Sequence, residues 1–121
     1  MTEAHDGDGA DATVDVLVVG GGPAGLAAAT FTARHGLSTL VVERGDSILR
    51  RNAHLENFPG FPAGVDARLL LSLMGEGAER AGAERSTAEV VALREVEGGD
   101  EKPTVGRFVA ETAAGERIRS R

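Results

Sequence analysis

Residues 15–43 constrain the fold of this chain more than any other segment, because they read as a complete β-α-β unit. The apolar run of Asp15–Val19 is typical of a strand buried on both faces. A glycine-rich turn follows, with Pro23 placed for the first turn of a helix, and an alanine-rich stretch continues the helix. Gly36 is placed to end that helix in a left-handed conformation. The apolar residues Leu37–Val42 then predict a second strand.

The turn after the first strand has the spacing G-x-G-x-x-G, formed by Gly20, Gly22 and Gly25. The first glycine permits a tight turn, the second leaves space for a pyrophosphate, and the third lets the helix pack closely on the strand. Amide groups and the positive dipole end of a helix attract phosphates. Pro23 and Ala24, in the first turn, therefore join the three glycines as candidate pyrophosphate-binding residues.

Glu43 is the candidate ribose-binding residue, since it ends the second strand about 20 residues after the glycine turn. A carboxylate at this place accepts hydrogen bonds from ribose hydroxyls and repels a 2′-phosphate, which favours FAD or NAD over NADP. The complete unit predicts a bound adenine dinucleotide. A glycine-rich turn without a ligand is the alternative, but three glycines would then cost backbone entropy for no gain.

Composition narrows the class of protein. The 121 residues suffice for one compact domain or part of a larger one, and they include no cysteine, so the chain itself holds no disulfide or thiolate. A net charge of −6 argues against a nucleic-acid surface. No apolar run is long enough for a membrane span, and no secretory signal is visible, so a cytoplasmic protein is expected. No pattern predicts a catalytic residue or a metal site.

The remaining segments predict a tail and a second helix. Residues 1–13 are acidic and rich in glycine and alanine, which indicates a disordered tail ahead of a domain over residues 14–121. Asp66–Ala81 reads as an amphipathic helix with Asp66 as its N-cap and Gly82 just past its end. Its predicted buried face includes Leu70, Met74 and Ala81.

The last third of the chain predicts strands. A short strand is expected over residues 84–87, and alternation over residues 88–96 puts Val91 and Leu93 on one face and Val90 and Val96 on the other. A polar turn follows at residues 97–103. Two further strands at residues 105–111 and 116–120, joined through Gly115, complete an antiparallel meander.

The turn sequence GGGPAG and the later run LENFPGF resemble the FAD domain of thioredoxin-reductase-like flavoproteins, in the pyridine nucleotide–disulfide oxidoreductase superfamily. The order of elements fits from Val14 to the end of the chain. The resemblance implies an α/β fold: a Rossmann-like FAD-binding domain, with parallel strands, crossover helices and a small antiparallel meander.

The resemblance also implies three further site residues. Asn57 matches an asparagine that lies beside the flavin in the family, although an asparagine that closes the turn before Phe58 is the alternative. Arg44 follows the ribose acid and is placed to approach the adenosine, with an exposed arginine as the alternative. Val90 stands where family members offer backbone to the adenine, or it is an ordinary core residue of its strand.

Family members continue into a further strand and a second dinucleotide domain for NADPH, where the reductases carry Cys-x-x-Cys. The resemblance therefore implies the N-terminal segment of a longer flavoprotein, with an FAD-binding domain incomplete at its C-terminus. The implied enzyme takes hydride from NAD(P)H onto the flavin and passes electrons to an unknown acceptor. A homodimer of the full-length protein is a further possibility that the resemblance leaves open. The run at residues 51–53, Arg-Asn-Ala, replaces the Gly-Gly-Gln of better-known members and leaves the acceptor open.

Two other functions stay open at this point. A segment of a flavin monooxygenase or of an isoprenoid-lipid reductase would share the same opening unit, but the run Glu56–Gly60 argues against it. A truncated, non-catalytic fragment that binds a dinucleotide weakly or not at all is an alternative of a different class. Whether this chain is an enzyme by itself is therefore undecided from the sequence.

Overall fold

The computed structural model describes residues 12–45, 54–96 and 107–121. In chain order the elements are β1 (Ala12–Val14), β2 (Val16–Val19), α1 (Pro23–Arg34), β3 (Thr39–Glu43), α2 (Ala67–Ala81), β4 (Glu84–Thr87), β5 (Val90–Glu95), β6 (Phe108–Thr112) and β7 (Arg117–Ser120).

The strands form two sheets. One is parallel and has the order β2-β3-β4, with α1 connecting its first two strands and α2 its last two. The other has the order β1-β7-β6-β5, in which β1 runs parallel to β7 and the remaining pairs are antiparallel. The predicted α/β fold, with crossover helices and an antiparallel meander, is confirmed.

Side chains of β3 point alternately to the two faces of the parallel sheet and pack against the layer on each side. Val41 packs against Leu26 and Leu71 in a core on the helix side of the parallel sheet. The next residue, Val42, points to the opposite face and packs against Ile118 of the second sheet. The parallel sheet is therefore covered by helices on one face and by the mixed sheet on the other, which explains the apolar run at residues 40–42 in the middle of β3.

The first strand is less buried than its sequence predicts. β2 begins at Val16 rather than Asp15, its residues are mostly half-buried, and Val19 is exposed. Among the described residues β2 forms an edge of the parallel sheet, because it pairs only with β3. The expectation that the first strand is buried on both faces is therefore wrong, whereas β3 is the more buried of the two strands.

Both helices begin and end where local chemistry predicts. Pro23 opens α1, and Gly36 beyond its end has a φ of 83°. Asp66 is the N-cap of α2, and its side chain accepts a hydrogen bond from the Arg68 backbone amide at 3.3 Å. Gly82 ends α2 in the left-handed conformation, with a φ of 116°.

The buried face of α2 is broader than predicted. Leu70 is buried as expected, whereas Met74 and Ala81 are only half-buried. Leu71 and Ala78 are buried in addition, in the core shared with α1 and the parallel sheet. A helix that packs against both a helix and a sheet needs a wider apolar stripe than one neighbour would require.

The prediction of a disordered tail is wrong for the last two of its residues. Ala12 and Thr13 belong to β1, where they pair with Ile118 and Arg119 of β7. A strand at the opposite end of the described chain provides this pairing, so nothing in the local sequence signals it. Residues 1–11 lie outside the described residues.

The meander forms as predicted, with small shifts of its strand ends. Val91 and Leu93 are exposed, at 58% and 62%, but so are the other residues of β5 after Val90, while Val90 and Val96 are half-buried. The pairing of β5 with β6 shifts by one residue between Val90 and Ala92, which marks a bulge. The turn predicted at residues 97–103 lies outside the described residues.

A cluster around Asp15 joins the starts of β2 and β3 to the end of β7. The Ser38 backbone amide donates to Asp15 Oδ2 at 2.9 Å, the Asp15 amide donates to Ser38 Oγ at 2.7 Å, and Arg121 Nη2 lies 2.9 Å from Asp15 Oδ1. The hydrogen bond from the Ser38 amide, with help from its hydroxyl and from Arg121, lowers the pKa of the Asp15 carboxyl below its ordinary value of 3.8.

We expect Asp15→Asn to reduce stability at neutral pH and to lose that effect in acid. Because the pKa is lowered in the folded protein, the carboxylate stabilises the fold above its ordinary pKa, and this stabilisation is lost as pH falls through the folded pKa. Urea unfolding of both proteins between pH 7 and pH 2.5 measures the difference in unfolding free energy. A difference that stays constant over this range would contradict the assignment.

Candidate functional site: a cleft at the carboxyl ends of the parallel strands

A cavity of about 360 Å³ opens at the carboxyl edge of the parallel sheet. It is lined by the ends of β2 and β3 with the turns that follow them, at residues 19–22 and 42–45, and by the connection from β4 into β5, at residues 88–90. This edge is where open parallel sheets bind their ligands. The cavity brings together five predicted site residues from three separate parts of the chain: Gly20, Gly22, Glu43, Arg44 and Val90.

The first glycine of the turn has the backbone conformation, and the third has the close packing, that the spacing predicts. Gly20 has a φ of 113°, which a residue with a side chain rarely adopts, and its amide continues the ladder by donating to the Val42 carbonyl at 2.8 Å. Gly25 packs directly on this turn. A Cβ at Gly25 would overlap the Gly20 carbonyl oxygen and lie 3.1 Å from Val18 Cγ1.

The start of α1 faces this cavity without a side chain that caps it. Gly22 is the N-cap and makes no side-chain hydrogen bond, and the first turn has no acidic residue. Pro23 is half-buried and Ala24 is exposed in that turn. The first amides of a helix have no partner within the helix, so an uncapped start offers its donors and its positive dipole end to an anion.

Glu43 is held beneath the glycine turn. Its side chain is only 12% exposed and packs against the backbone of Gly21, where an added Cβ would lie 2.6 Å from the Glu43 Cδ. Glu43 Oε2 lies 3.5 Å from Nη2 of Arg85 on β4. The Glu43 carbonyl also accepts from the Ala88 amide at 2.9 Å, which joins the ends of β3 and β4.

Arg44 and Val90 line the same cavity. Arg44 Nη1 is 3.5 Å from Oε2 of Glu89, and both side chains are more than half exposed. An ion pair this exposed contributes little to stability. Val90 lines the cavity and also packs at the margin of the core between the two sheets, and its contact with an adenine remains a prediction.

Asn57 is placed apart from these residues. It is exposed, in a loop closed by two hydrogen bonds of 2.8 Å between the backbones of Leu55 and Val65. Within this loop the rings of Phe58 and Phe61 contact each other, with centroids 6.1 Å apart. Asn57 lines neither the cavity at the sheet edge nor the one described next, so its predicted contact with a flavin remains a prediction.

Sequence reasoning missed two residues of this site. Gly21 accommodates the Glu43 carboxylate, and its only signal in the sequence is its place in a run of three glycines. Arg85 contacts the same carboxylate and also lines a second cavity, of about 530 Å³, together with Gly21 and the first turns of α2. Its role depends on the register of β4 against β3, which the local sequence does not encode.

Residues 12–45, 54–96 and 107–121 contain neither a candidate metal centre nor a candidate membrane-crossing helix. No group of three or more His, Asp or Glu side chains there could hold a metal ion. In the same ranges, neither α1 nor α2 combines the length and the hydrophobicity that a membrane-crossing helix requires.

Comparison with known proteins defines the class of the fold and site. A family model described as FAD dependent oxidoreductase matches residues 15–48, which include the glycine turn, α1 and Glu43. FAD, the cofactor expected from the sequence, is therefore the cofactor of the matching family.

Similar proteins narrow the class. The chain is 42% identical over 84 residues to the thioredoxin reductase of Aquifex aeolicus, covering 68% of this chain and 26% of that protein. It is 40% identical over 95 residues to the thioredoxin reductase of Listeria monocytogenes, covering 75% and 28%. The solved thioredoxin reductase of Gloeobacter violaceus matches with a TM-score of 0.77 and 29% identity, over 90% of this chain and 32% of that chain.

The chain is therefore thioredoxin-reductase-like in sequence and fold, and its opening β-α-β unit matches the FAD-dependent oxidoreductase family. The predicted resemblance is confirmed, and so is its Rossmann-like fold. The relatives are oxidoreductases, as expected for the implied enzyme. The chain spans about a quarter of the length of these curated relatives.

Proposed function

We propose that this chain binds FAD through the cavity at the carboxyl edge of the parallel sheet. The observation that carries the proposal is the meeting of an uncapped helix start, a glycine turn and a nearly buried carboxylate around one cavity. These groups match the two polar parts of an adenine dinucleotide, a doubly anionic pyrophosphate and a ribose with two hydroxyls.

The chain's own residues would bind and orient the cofactor. Backbone amides at the start of α1, beside Gly20, Gly22, Pro23, Ala24 and Gly25, would donate to the pyrophosphate. Gly25 would keep α1 close enough to the strands for those amides to reach it.

The adenosine would lie across the ends of β3 and β4. Glu43 would accept hydrogen bonds from the ribose hydroxyls, which are strong because the acceptor is charged. Arg44 and the backbone of Val90 line the same cavity and would contact the adenosine. Asn57 is proposed for the flavin because its carboxamide both donates and accepts, which suits the polar edge of the isoalloxazine ring.

The reaction proposed for the protein to which this site belongs is a flavin-dependent electron transfer. The bound flavin would accept hydride from NAD(P)H and release electrons to an acceptor of unknown identity. The thioredoxin reductases among the similar proteins support this class over a flavin monooxygenase or an isoprenoid-lipid reductase. A cytoplasmic location and a homodimeric longer form belong to the same proposal. The chain has no cysteine, so it contributes no thiol to a disulfide step.

We expect the purified protein to acquire flavin absorption near 450 nm when it is incubated with FAD and passed through a desalting column. The chain has no Trp or Tyr, so flavin fluorescence can also be followed without quenching by stacked Trp or Tyr rings of this chain. ADP, which contains the ribose and pyrophosphate, should compete with FAD. A protein that retains no flavin and binds no ADP by calorimetry would contradict the proposal and favour a fragment that does not bind dinucleotides.

A further inference from the structure

Arg85 lies beside the carboxylate assigned to the ribose. In the parallel pair β3 and β4, Glu43 is opposite Thr87, so Arg85, two residues earlier, projects from the same face of the sheet as Glu43. The side chains are 12% and 27% exposed and approach within 3.5 Å. A carboxylate so far removed from water requires a compensating partner, and Arg85 supplies the positive charge.

The guanidinium of Arg85 is fixed between two elements. Gly75 of α2 leaves the space that it occupies, because a Cβ at that position would lie 2.9 Å from Arg85 Cζ. Arg85 Nη1 lies 3.5 Å from Oε2 of Glu79, also on α2. One end of the guanidinium therefore contacts the helix layer, and the other contacts the acid at the end of β3.

This arrangement leaves one hydrogen-bond donor of Arg85 without a partner in the described part of the chain. Its Nε is buried and has no hydrogen-bond partner among the described residues, and an unpaired buried donor costs free energy. Buried polar groups without a partner are rare in folded proteins, and a functional constraint is one of the known reasons for them. Of the two acids that Arg85 contacts, Glu43 lines the cavity at the sheet edge and Glu79 does not.

We propose that Arg85 is a positioning residue for ribose recognition: it holds the Glu43 carboxylate oriented between Gly21 and β4 before the ligand arrives. The inference rests on the proposed binding of FAD. Because the carboxylate is already fixed, ribose hydroxyls meet their acceptor without ordering it first, which removes part of the cost of binding. Arg85 acts through Glu43 and needs no contact with the ligand.

The test compares two ligands that differ only in the hydroxyls that Glu43 would bind, ADP and 2′,3′-dideoxy-ADP. Arg85→Met keeps an unbranched apolar stem and removes the charge, and calorimetry measures both affinities. We expect R85M to weaken ADP binding about 10-fold, within the usual range of coupling between contacting groups, and to leave dideoxy-ADP binding within about 2-fold of the unmodified protein.

The matched control is Arg94→Met, which removes an arginine from an exposed ion pair on β5 and β6 whose closest atoms are 3.9 Å apart. Arg94 lines neither cavity, so R94M should bind both ligands as the unmodified protein does. Circular dichroism checks that each variant is folded. If R85M is not folded, Arg85→Gln replaces it with the same expectations.

A double-mutant cycle with Glu43→Gln decides whether Arg85 acts through the carboxylate. We expect R85M to have no further effect on ADP binding in the E43Q protein. Equal weakening of ADP and dideoxy-ADP, or additive losses in the cycle, would overturn the positioning role while leaving the binding of FAD intact. Failure of the unmodified protein to bind either ADP or FAD would overturn the proposed function, and this inference with it.

Discussion

Glu43→Ala should weaken FAD binding by roughly 10- to 150-fold. A hydrogen bond to a charged group contributes about 1.5–3 kcal/mol, and the substitution removes the acceptor that two ribose hydroxyls would share. It also leaves Arg85 partly buried without the acid on β3, so part of the loss reflects a disturbed site. Titration of FAD fluorescence into both proteins measures the change.

Glu79→Ala is the matched control for this variant. Glu79 contacts the same arginine at the same 3.5 Å separation, but it lies on α2, is more than half exposed and lines neither cavity. Its loss should change FAD affinity by no more than about 3-fold, as expected for an exposed pair. An E43A protein that binds FAD as tightly as the E79A protein would refute the ribose assignment.

Gly25→Ala should damage both stability and cofactor binding. The new Cβ would overlap a backbone oxygen, that of Gly20, which cannot move aside as a flexible side chain can. Overpacking of this kind costs about 1–3 kcal/mol, and α1 would relieve it by moving off the strands. Such a movement withdraws the helix amides from the pyrophosphate, so FAD affinity should fall by at least about 10-fold.

Gly77→Ala separates this steric effect from helix propensity. Gly77 lies in α2 with nothing within 4 Å of an added Cβ, so the same substitution should stabilise the protein by about 0.5–1 kcal/mol. Urea unfolding followed by circular dichroism gives both values. A G25A protein as stable as the G77A protein, with unchanged FAD affinity, would show that close packing at Gly25 is not required.

Much of the fold could be predicted because the signals are local. Gly36 and Gly82 end the helices, Asp66 caps α2, and residues 84–87 form a strand with the predicted bounds. Each of these depends on backbone conformation or on contacts within a few residues. The tail boundary failed for the opposite reason, since Ala12 is ordered by pairing with Ile118.

The candidate site was predictable in part. Gly20, Gly25 and Glu43 have positions that follow from one continuous β-α-β unit, so their spacing is sufficient to place them together. Arg85 and Gly21 were not predictable in their roles. The first requires the register of a strand that follows a second helix, and the second requires the rotamer of Glu43.

The sequence by itself determined the β-α-β unit, its phosphate-binding turn and the acid that follows, because these depend on glycine conformations, helix ends and apolar periodicity within a few dozen residues. Only the tertiary structure decided which strands became neighbours. The pairing of β1 with β7 and the ion pair of Arg85 with Glu43 both join segments that are distant in the chain. Contacts of this kind depend on sheet order and register, which are set by the packing of the whole core.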